Sequence, residues 1–163
     1  MEITIRQYEE RDRAALTKCL EDLQDHEASV DPIHYRVRKE GFGLPYVENL
    51  LENIAKKDGV IYLAENDDAV VGILACVIKH HEKQEILARS SNNPYGYVVE
   101  LYVAPEFRNK AVGSSLMIRA EEYFRSKGCD FASVDVFAPN TRAYDFYKKI
   151  GYSDREVNLL KKL

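Results

Sequence analysis

The stretch from Tyr97 to Arg125 constrains the fold most, because it reads as a strand, a basic turn and a helix in direct succession. Residues 97–103 are mainly β-branched or aromatic, and this composition predicts a buried strand. Pro105 ends that strand, since proline cannot donate a hydrogen bond to a sheet ladder. From residue 112 onward, apolar side chains recur every four residues, which predicts a helix that closes at Lys127-Gly128.

The turn between this strand and this helix has the character of an anion site. Residues 108–114 contain two cations, no acidic residue and the small residues Ala111 and Gly113. A helix N-terminus presents free backbone N–H groups and a positive dipole end, so the turn is expected to hold phosphates. Neither a Gly-Lys-Ser/Thr ending nor a Gly-x-Gly-x-x-Gly pattern is present, which argues against a P-loop and against a dinucleotide-binding turn.

The whole chain, 1–163, reads as a single α/β domain with a central mixed sheet. Loops are predicted over 28–43, with one helical turn around 33–39, and over 79–94. Strands are predicted at about 3–8, 59–65, 69–78, 97–103, 130–137 and 155–160, and helices at about 12–27, 45–57, 112–126 and 141–149.

Composition narrows the class of protein further. Residues 1–103 hold 12 Lys and Arg against 19 Asp and Glu, whereas residues 104–163 hold 11 against 8. A basic C-terminal part suits a polyanionic ligand and an acidic N-terminal part suits a cationic one, although ordinary surface charge explains the same numbers. The acidic balance argues against nucleic acid, and no apolar run reaches membrane-span length. Three widely spaced cysteines predict a reducing, cytoplasmic setting and no metal site.

Two motifs in the second half of the chain resemble the GNAT superfamily of acyl-CoA-dependent N-acetyltransferases. Arg108 and Gly113 match the pyrophosphate signature Gln/Arg-x-x-Gly-x-Gly/Ala, while Ala111 stands where that family usually has glycine. Residues 139–152 follow the pattern Asn-x-x-Ala-x-x-Phe-Tyr-x-x-x-Gly-Phe/Tyr. The predicted order of elements also agrees with the family over nearly the whole chain.

The resemblance implies an α/β (α+β) fold with a mixed, mostly antiparallel twisted sheet that is flanked by helices. Its strands splay apart at the acyl-CoA site, so that backbone groups of 101–103 pair with pantetheine and amides of 108–114 hold the pyrophosphate. It implies acetyl-CoA as cosubstrate and no metal. The implied cofactor-binding residues are Leu101, Tyr102, Val103, Arg108, Asn109, Lys110, Ala111, Val112, Gly113, Ser114, Asn140 and Tyr147.

The resemblance also implies two catalytic residues. Tyr147 would give a proton to the departing thiolate, and Glu100 would take the proton of the acceptor amine, directly or through water. Other interpretations stay open: Tyr147 as part of a buried helix face, Asn140 as an N-cap, and Glu100 as a solvent-facing side chain.

The leading functional hypothesis is acetyl transfer from acetyl-CoA to a primary amine, and the alternative is a non-catalytic acyl-CoA-binding or interaction module. The acceptor, whether a small molecule or a protein amine, is expected to be chosen by residues 26–46 and 79–96, which carry no recognisable motif. A homodimer is compatible with the sequence. Ala111 is expected in ordinary helical φ/ψ, so that Ala111→Gly would slightly lower the melting temperature and change the acetyl-CoA dissociation constant by less than about threefold.

Overall fold

The computed structural model describes residues 2–37, 39–81 and 93–161. Most of the predicted loop at 79–94, and with it most of the second expected acceptor segment, lies outside these residues. The strands are β1 (Thr4–Gln7), β2 (Val60–Asn66), β3 (Ala69–Lys79), β4 (Tyr95–Val103) and β5 (Ala132–Val134), and the α-helices are α1 (Arg13–Val30), α2 (Gly43–Lys56), α3 (Val112–Ser126) and α4 (Thr141–Lys149).

The strands form one mixed sheet in the order β1-β2-β3-β4-β5. The first four strands pair antiparallel, and β5 alone runs parallel to its neighbour β4. A parallel neighbour requires a crossover, which α3 supplies between β4 and β5. The mixed, mostly antiparallel sheet flanked by helices is therefore confirmed.

Helices cover both faces of the sheet, and each face has its own hydrophobic core. One core joins α3 and α4 to the sheet through buried residues such as Leu116, Phe124 and Tyr147. The other joins α1 and α2 to the opposite face through residues such as Leu20 and Val47. Side chains along β2 and β3 are distributed between the two cores, so these strands are buried on both sides.

Three of the predicted secondary-structure elements differ clearly from the structure. Strand β5 is three residues long instead of the eight expected from 130–137. No helical turn forms around 33–39 in the part of that segment that the structure describes. The last predicted strand, 155–160, is also wrong, because these residues pair with no strand among those described.

The contacts of the C-terminal segment explain why residues 155–160 do not form the predicted strand. Asp154 accepts a hydrogen bond from the Tyr144 hydroxyl at 2.9 Å and lies 3.5 Å from the Lys148 ammonium, which ties the chain back onto α4. The apolar side chains beyond it are exposed, Leu159 to 87%. Alternating apolar residues supply strand propensity, but a strand forms only where a neighbouring edge supplies its hydrogen bonds.

Candidate active site

The candidate site lies where β4 and β5 separate. The two strands pair only from Gly96 to Val98 on β4, opposite Ala132 to Val134 on β5. Beyond that point, residues 100–103 of β4 pair with β3 and with no other strand among those described. The splayed strands that the resemblance implied are therefore present, and they leave the C-terminal half of β4 with one free edge.

A β-bulge at Val99 sets the direction of the side chains in this half of β4. The pairing with β3 passes from Val98 directly to Glu100, so Val99 is the extra residue. Val98 packs into the α3/α4 core, whereas Val99 packs into the α1/α2 core and Leu101 returns to the first. Tyr102 packs into the α1/α2 core, so the alternation puts Glu100 on that same face. Bulges commonly re-aim side chains in this way at functional sites.

Glu100 is a buried carboxylate in a polar network. Its side chain is 5% exposed, and the hydroxyl of Tyr46 on α2 donates a hydrogen bond to its Oε1. The Gln24 amide on α1 donates in turn to the Tyr46 oxygen at 3.3 Å. Burial raises the pKa of Glu100 to about 7, while the Tyr46 hydrogen bond opposes that rise. The alternative of a solvent-facing side chain is thus wrong, and a pKa of about 7 is in the range that is useful for a general base.

Tyr147 lies on α4 and is 7% exposed. Its ring makes edge contacts with Phe146 and Tyr152, with centroids 5.2 and 5.6 Å away. Burial raises the pKa of Tyr147 well above its usual range, and the neighbouring Tyr152, Glu100 and Glu27 add to the rise. The phenol therefore stays protonated.

Asn140 is the N-cap residue of α4. Its Oδ1 accepts a hydrogen bond from the backbone N–H of Ala143 at 3.2 Å. The capping interpretation is therefore confirmed, and it uses the oxygen end of the amide. The NH₂ end of the amide still has donors to offer to a ligand.

The turn before α3 is more strongly bent than its sequence suggests. Strand β4 leads into a 3₁₀ helix, Pro105–Phe107, and two residues then adopt left-handed backbone angles, Asn109 with φ 61° and Ala111 with φ 62°. The expectation that Ala111 has ordinary helical φ/ψ is wrong. The chain is held on both sides of this turn, because the Arg108 side chain is hydrogen-bonded to the end of β4 and Val112 is buried in the core. The three residues between them therefore have to reverse the direction of the chain.

The N-terminus of α3 presents unpaired backbone donors. The first helical hydrogen bond runs from the Ser115 N–H to the Ala111 carbonyl at 2.9 Å, so the amides of 112–114 precede the ladder. No side chain among the described residues caps them. Gly113 lies within the first turn, where a Cβ would come 3.3 Å from the Phe146 ring. The small residue therefore allows α3 and α4 to approach each other closely at this point.

The two cations of the turn behave differently. Arg108 donates from Nε to the Val103 carbonyl at 2.9 Å, which leaves the outer edge of its guanidinium for other partners. Lys110 is exposed, with its ammonium 5.3 Å from the Phe107 ring centroid. Arg108 therefore has a structural role that the sequence did not reveal, since it uses a backbone acceptor at the end of β4.

The three β4 residues expected to contact the cofactor differ in what their side chains do. Leu101 and Val103 pack against the α3/α4 core. Tyr102 is buried in the other core, donates to Asp22 Oδ2 at 3.3 Å and has its pKa raised to about 12 by burial. Their side chains are thus occupied by packing, and only backbone groups of this segment are suited to a ligand.

The sequence did not reveal the individual contacts on the α1 and α2 side of the site. Tyr46, Glu27 and Arg36 lie within the segment 26–46 that was expected to choose the acceptor, but no motif distinguishes them there. The available signal was chemical: a glutamate in an otherwise apolar strand requires a buried partner. In the part of the chain that the structure describes, no group of three or more His, Cys, Asp and Glu side chains could hold a metal ion, and no helix is long and apolar enough to span a membrane.

Comparison with known proteins agrees with this geometry. The model of the acetyltransferase (GNAT) family matches residues 15–152. A relative in Methanocaldococcus jannaschii, an uncharacterized N-acetyltransferase, is 30% identical over 104 residues, which are 62% of this chain and 42% of that protein. The chain therefore spans less than half the length of this relative. Thialysine N-epsilon-acetyltransferase of Bos taurus is 26% identical over 93% of this chain and 85% of its own length.

Solved structures share the fold. Aminoglycoside acetyltransferase AAC(6')-Iy, in complex with the bisubstrate analogue CoA-S-monomethyl-acetylneamine, superposes with a TM-score of 0.75. The two chains are 18% identical, and the match covers 100% of this chain and 99% of the other. Because the family model covers most of the sequence, including the split strands, the α3 turn and α4, the chain belongs to the GNAT acetyltransferase family, whose members are acyl-CoA-dependent N-acetyltransferases.

Proposed function

We propose that this protein transfers the acetyl group of acetyl-CoA to a primary amine by direct attack within a ternary complex. The observation that carries the proposal is Glu100, a buried carboxyl with a pKa of about 7 at the point where β4 and β5 separate. An alkyl ammonium has a pKa near 10.4 and must lose a proton before it can attack. Glu100 accepts that proton, either directly or through a water molecule.

Tyr147 is the proposed proton donor to the sulfur. The amine nitrogen forms a bond to the acetyl carbon, the carbon–sulfur bond breaks, and the thiolate takes the phenolic proton. Burial keeps the phenol protonated, so its O–H is available to hydrogen-bond the developing thiolate and to give it the proton, although the raised pKa makes the phenol a weak acid. Thiols titrate near 8.5, so the thiolate is already a fair leaving group and the donor assists a step that can proceed without it.

The turn before α3 is the proposed pyrophosphate site. The unpaired amides of Val112, Gly113 and Ser114 and the helix dipole favour an anion, and the guanidinium of Arg108 and the ammonium of Lys110 add positive charge nearby. The backbone of residues 101–103 and the Asn140 amide would hold the pantetheine arm, with Asn109 and Ala111 shaping the turn. Positioning of the amine and thioester in this way is worth up to about 7–11 kcal/mol of barrier in ideal cases.

We propose a small-molecule amine as the acceptor. This choice is supported by the names of the similar proteins, which include a thialysine acetyltransferase and an enzyme bound to a neamine-derived analogue. Acetyl-CoA consumption should be followed with a panel of amines and with lysine-containing peptides, and products identified by mass spectrometry. Turnover of peptides alone would contradict the small-molecule acceptor, and binding of acetyl-CoA without any turnover would favour the non-catalytic alternative.

We further propose a cytoplasmic protein that assembles as a homodimer. Cys19, Cys76 and Cys129 are free thiols, which supports a reducing compartment. The exposed apolar segment 155–160 and the short outer strand β5, paired only with β4 among the described residues, support an association through this end of the sheet. Light scattering after gel filtration should give the mass of a dimer for the unmodified protein and a lower mass for the Leu159→Ser variant. A monomer mass for the unmodified protein would contradict the dimer.

A further inference from the structure

A cation-binding cluster lies beside the proposed base, on the α1 side. The Arg36 guanidinium donates from Nη1 to Glu27 Oε2 at 2.6 Å and to Gln24 Oε1 at 3.0 Å, and it lies 5.3 Å from the centroid of the Phe137 ring. A carboxylate, an amide oxygen and an aromatic face are together the groups that recognise an organic cation. The chain's own arginine thus occupies a site with the chemistry to bind other cations.

The backbone that carries Arg36 is fixed, while its side chain is accessible. Asp31, at the end of α1, is 4% exposed, and its carboxylate accepts hydrogen bonds from the backbone N–H groups of Ile33 at 3.1 Å and Arg36 at 2.8 Å. The Arg36 side chain itself is 46% exposed. The guanidinium can therefore return to solvent by side-chain rotation alone, without rearrangement of the loop.

Glu27 is the part of the cluster that requires a cation. Its side chain is only 22% exposed, and burial raises its pKa while the charge of Arg36 lowers it. Replacement of Arg36 by another cation keeps this carboxylate paired, so the exchange avoids the penalty of a buried, unpaired charge. An exposed arginine, by contrast, loses little when water takes the place of its partner.

The cluster is continuous with the proposed reaction centre. Gln24 accepts from Arg36 through its oxygen and donates to the Tyr46 hydroxyl through its nitrogen, and Tyr46 donates to Glu100. One side chain, Tyr46, therefore connects the cation site to the base. The negative charge of Glu27 also raises the pKa of both Glu100 and Tyr147, so Glu27 acts electrostatically on both proposed catalytic groups.

We propose that Glu27, Gln24 and Phe137 form a second cation site of the acceptor pocket, and that its ligand is the distal ammonium group of a diamine-type acceptor. The distal ammonium group replaces Arg36 as the ion-pair partner of Glu27, while the reacting amine lies at Glu100. This inference rests on the proposed function and specifies its acceptor class. Arg36 then acts as a competitor that screens acceptors, because only a molecule with a second cation can replace it.

The test compares 1,5-diaminopentane with 1-aminopentane, which differ only in the distal ammonium group. Steady-state rates should be measured above pH 8, where any shift in the titration of Glu100 has little effect. Removal of a charge-assisted partner by Glu27→Gln should lower the ratio of kcat/KM for the diamine to that for the monoamine by about tenfold or more. Arg36→Ala should lower the diamine KM several-fold, because the internal competitor is gone. Glu52→Gln, on an exposed pair of α2, is the matched control and should leave both values unchanged.

Two outcomes would overturn the inference while leaving amine acetylation intact. One is an unchanged diamine preference in Glu27→Gln. The other is a higher diamine KM in Arg36→Ala, which would mean that Arg36 recruits the acceptor instead of competing with it. If neither amine is acetylated, calorimetric titration of 1,5-diaminopentane decides the question: binding that Glu27→Gln abolishes supports the cation site, and equal or absent binding in both proteins overturns it.

Discussion

The phenol of Tyr46 on α2 donates a hydrogen bond to the carboxyl of Glu100 on β4, and this contact joins the helical layer to the split in the sheet. It explains how a glutamate can lie in an otherwise apolar strand, since the buried group has a partner. It also adjusts the pKa of Glu100, because the hydrogen bond lowers the pKa that burial raises. Tyr46 therefore acts as a positioning residue for the proposed base.

Substitution of Tyr46 by Phe should move the pH dependence of the rate. Loss of the donor removes the interaction that lowers the Glu100 pKa, so the acidic limb of the kcat/KM profile should shift to higher pH. The profile should be measured from pH 5.5 to 9.5. Tyr144→Phe removes a phenol that bonds to Asp154, on an exposed part of α4, and serves as control. An unshifted profile in Tyr46→Phe would remove Tyr46 from the proton-transfer network.

Glu100→Gln should affect stability with a predictable sign. The folded protein keeps the Glu100 proton up to about pH 7, whereas a carboxyl at the ordinary value of 4.5 loses it earlier. The folded state therefore binds more protons between these values, and the wild type loses stability as the pH rises through them. Relative to wild type, Glu100→Gln should gain up to about 3 kcal/mol in unfolding free energy between pH 4.5 and pH 8. Urea unfolding at several pH values measures this difference.

The same variant tests the base in catalysis. Glu100→Gln should lose the rise in kcat/KM that wild type shows with an apparent pKa near 7. If the variant keeps both this rise and its rate, a water molecule without help from Glu100 would be the proton acceptor.

Tyr147→Phe should lower kcat by about tenfold to a hundredfold with little change in the KM for acetyl-CoA, since the proton is needed only in the transition state. Tyr152→Phe is a suitable control, because its ring touches Tyr147 while its buried hydroxyl has no hydrogen-bond partner among the described residues. The control should leave kcat unchanged and should not lower stability. Equal losses of rate in the two variants would point to packing as the role of Tyr147.

Ala111→Gly should raise the melting temperature, opposite to the expectation from sequence. Ala111 has φ 62°, and relief of the left-handed strain is worth about 1–2 kcal/mol, partly offset by the greater freedom of glycine in the unfolded chain. A gain of about 2–4 °C is expected for a protein of this size. Ala55→Gly, at an exposed right-handed position of α2, is the matched control and should lower the melting temperature. The acetyl-CoA dissociation constant should still change less than about threefold, because the fold itself already adopts this conformation.

The two cations of the turn, Arg108 and Lys110, should have distinguishable effects on acetyl-CoA binding and on stability. Lys110→Ala should weaken acetyl-CoA binding without a change in melting temperature, because the side chain is exposed. Arg108→Ala should lower both the affinity for acetyl-CoA and the melting temperature, since it also removes the hydrogen bond to the Val103 carbonyl. Arg108→Lys keeps the charge but not the Nε donor, so it should retain more affinity than Arg108→Ala while losing similar stability. Unchanged affinity in all three variants would mean that the turn is not the phosphate site.

Much of the site could be predicted from local patterns. The Asn140 cap, the basic turn and the helix start at Val112 depend on residues close together in the chain, and the structure has each of them. The angles at Ala111 could not be predicted in this way, because they follow from Arg108 bonding to β4 and Val112 entering the core. The strand expected at 155–160 failed for the same reason, since strand formation depends on a partner edge and not on propensity alone.

The sequence by itself determined the order of the elements from β1 to α4, the mixed sheet and the basic turn before α3, because periodicity and turn chemistry act over a few neighbouring residues. The tertiary structure alone decided the orientation, the burial and the pKa of Glu100. A bulge one residue earlier selects its face of the sheet, and residues from α1 and α2, 54 or more positions away in the chain, bury it and set its pKa. Burial and charge are properties of a packed surrounding, which no short stretch of sequence contains.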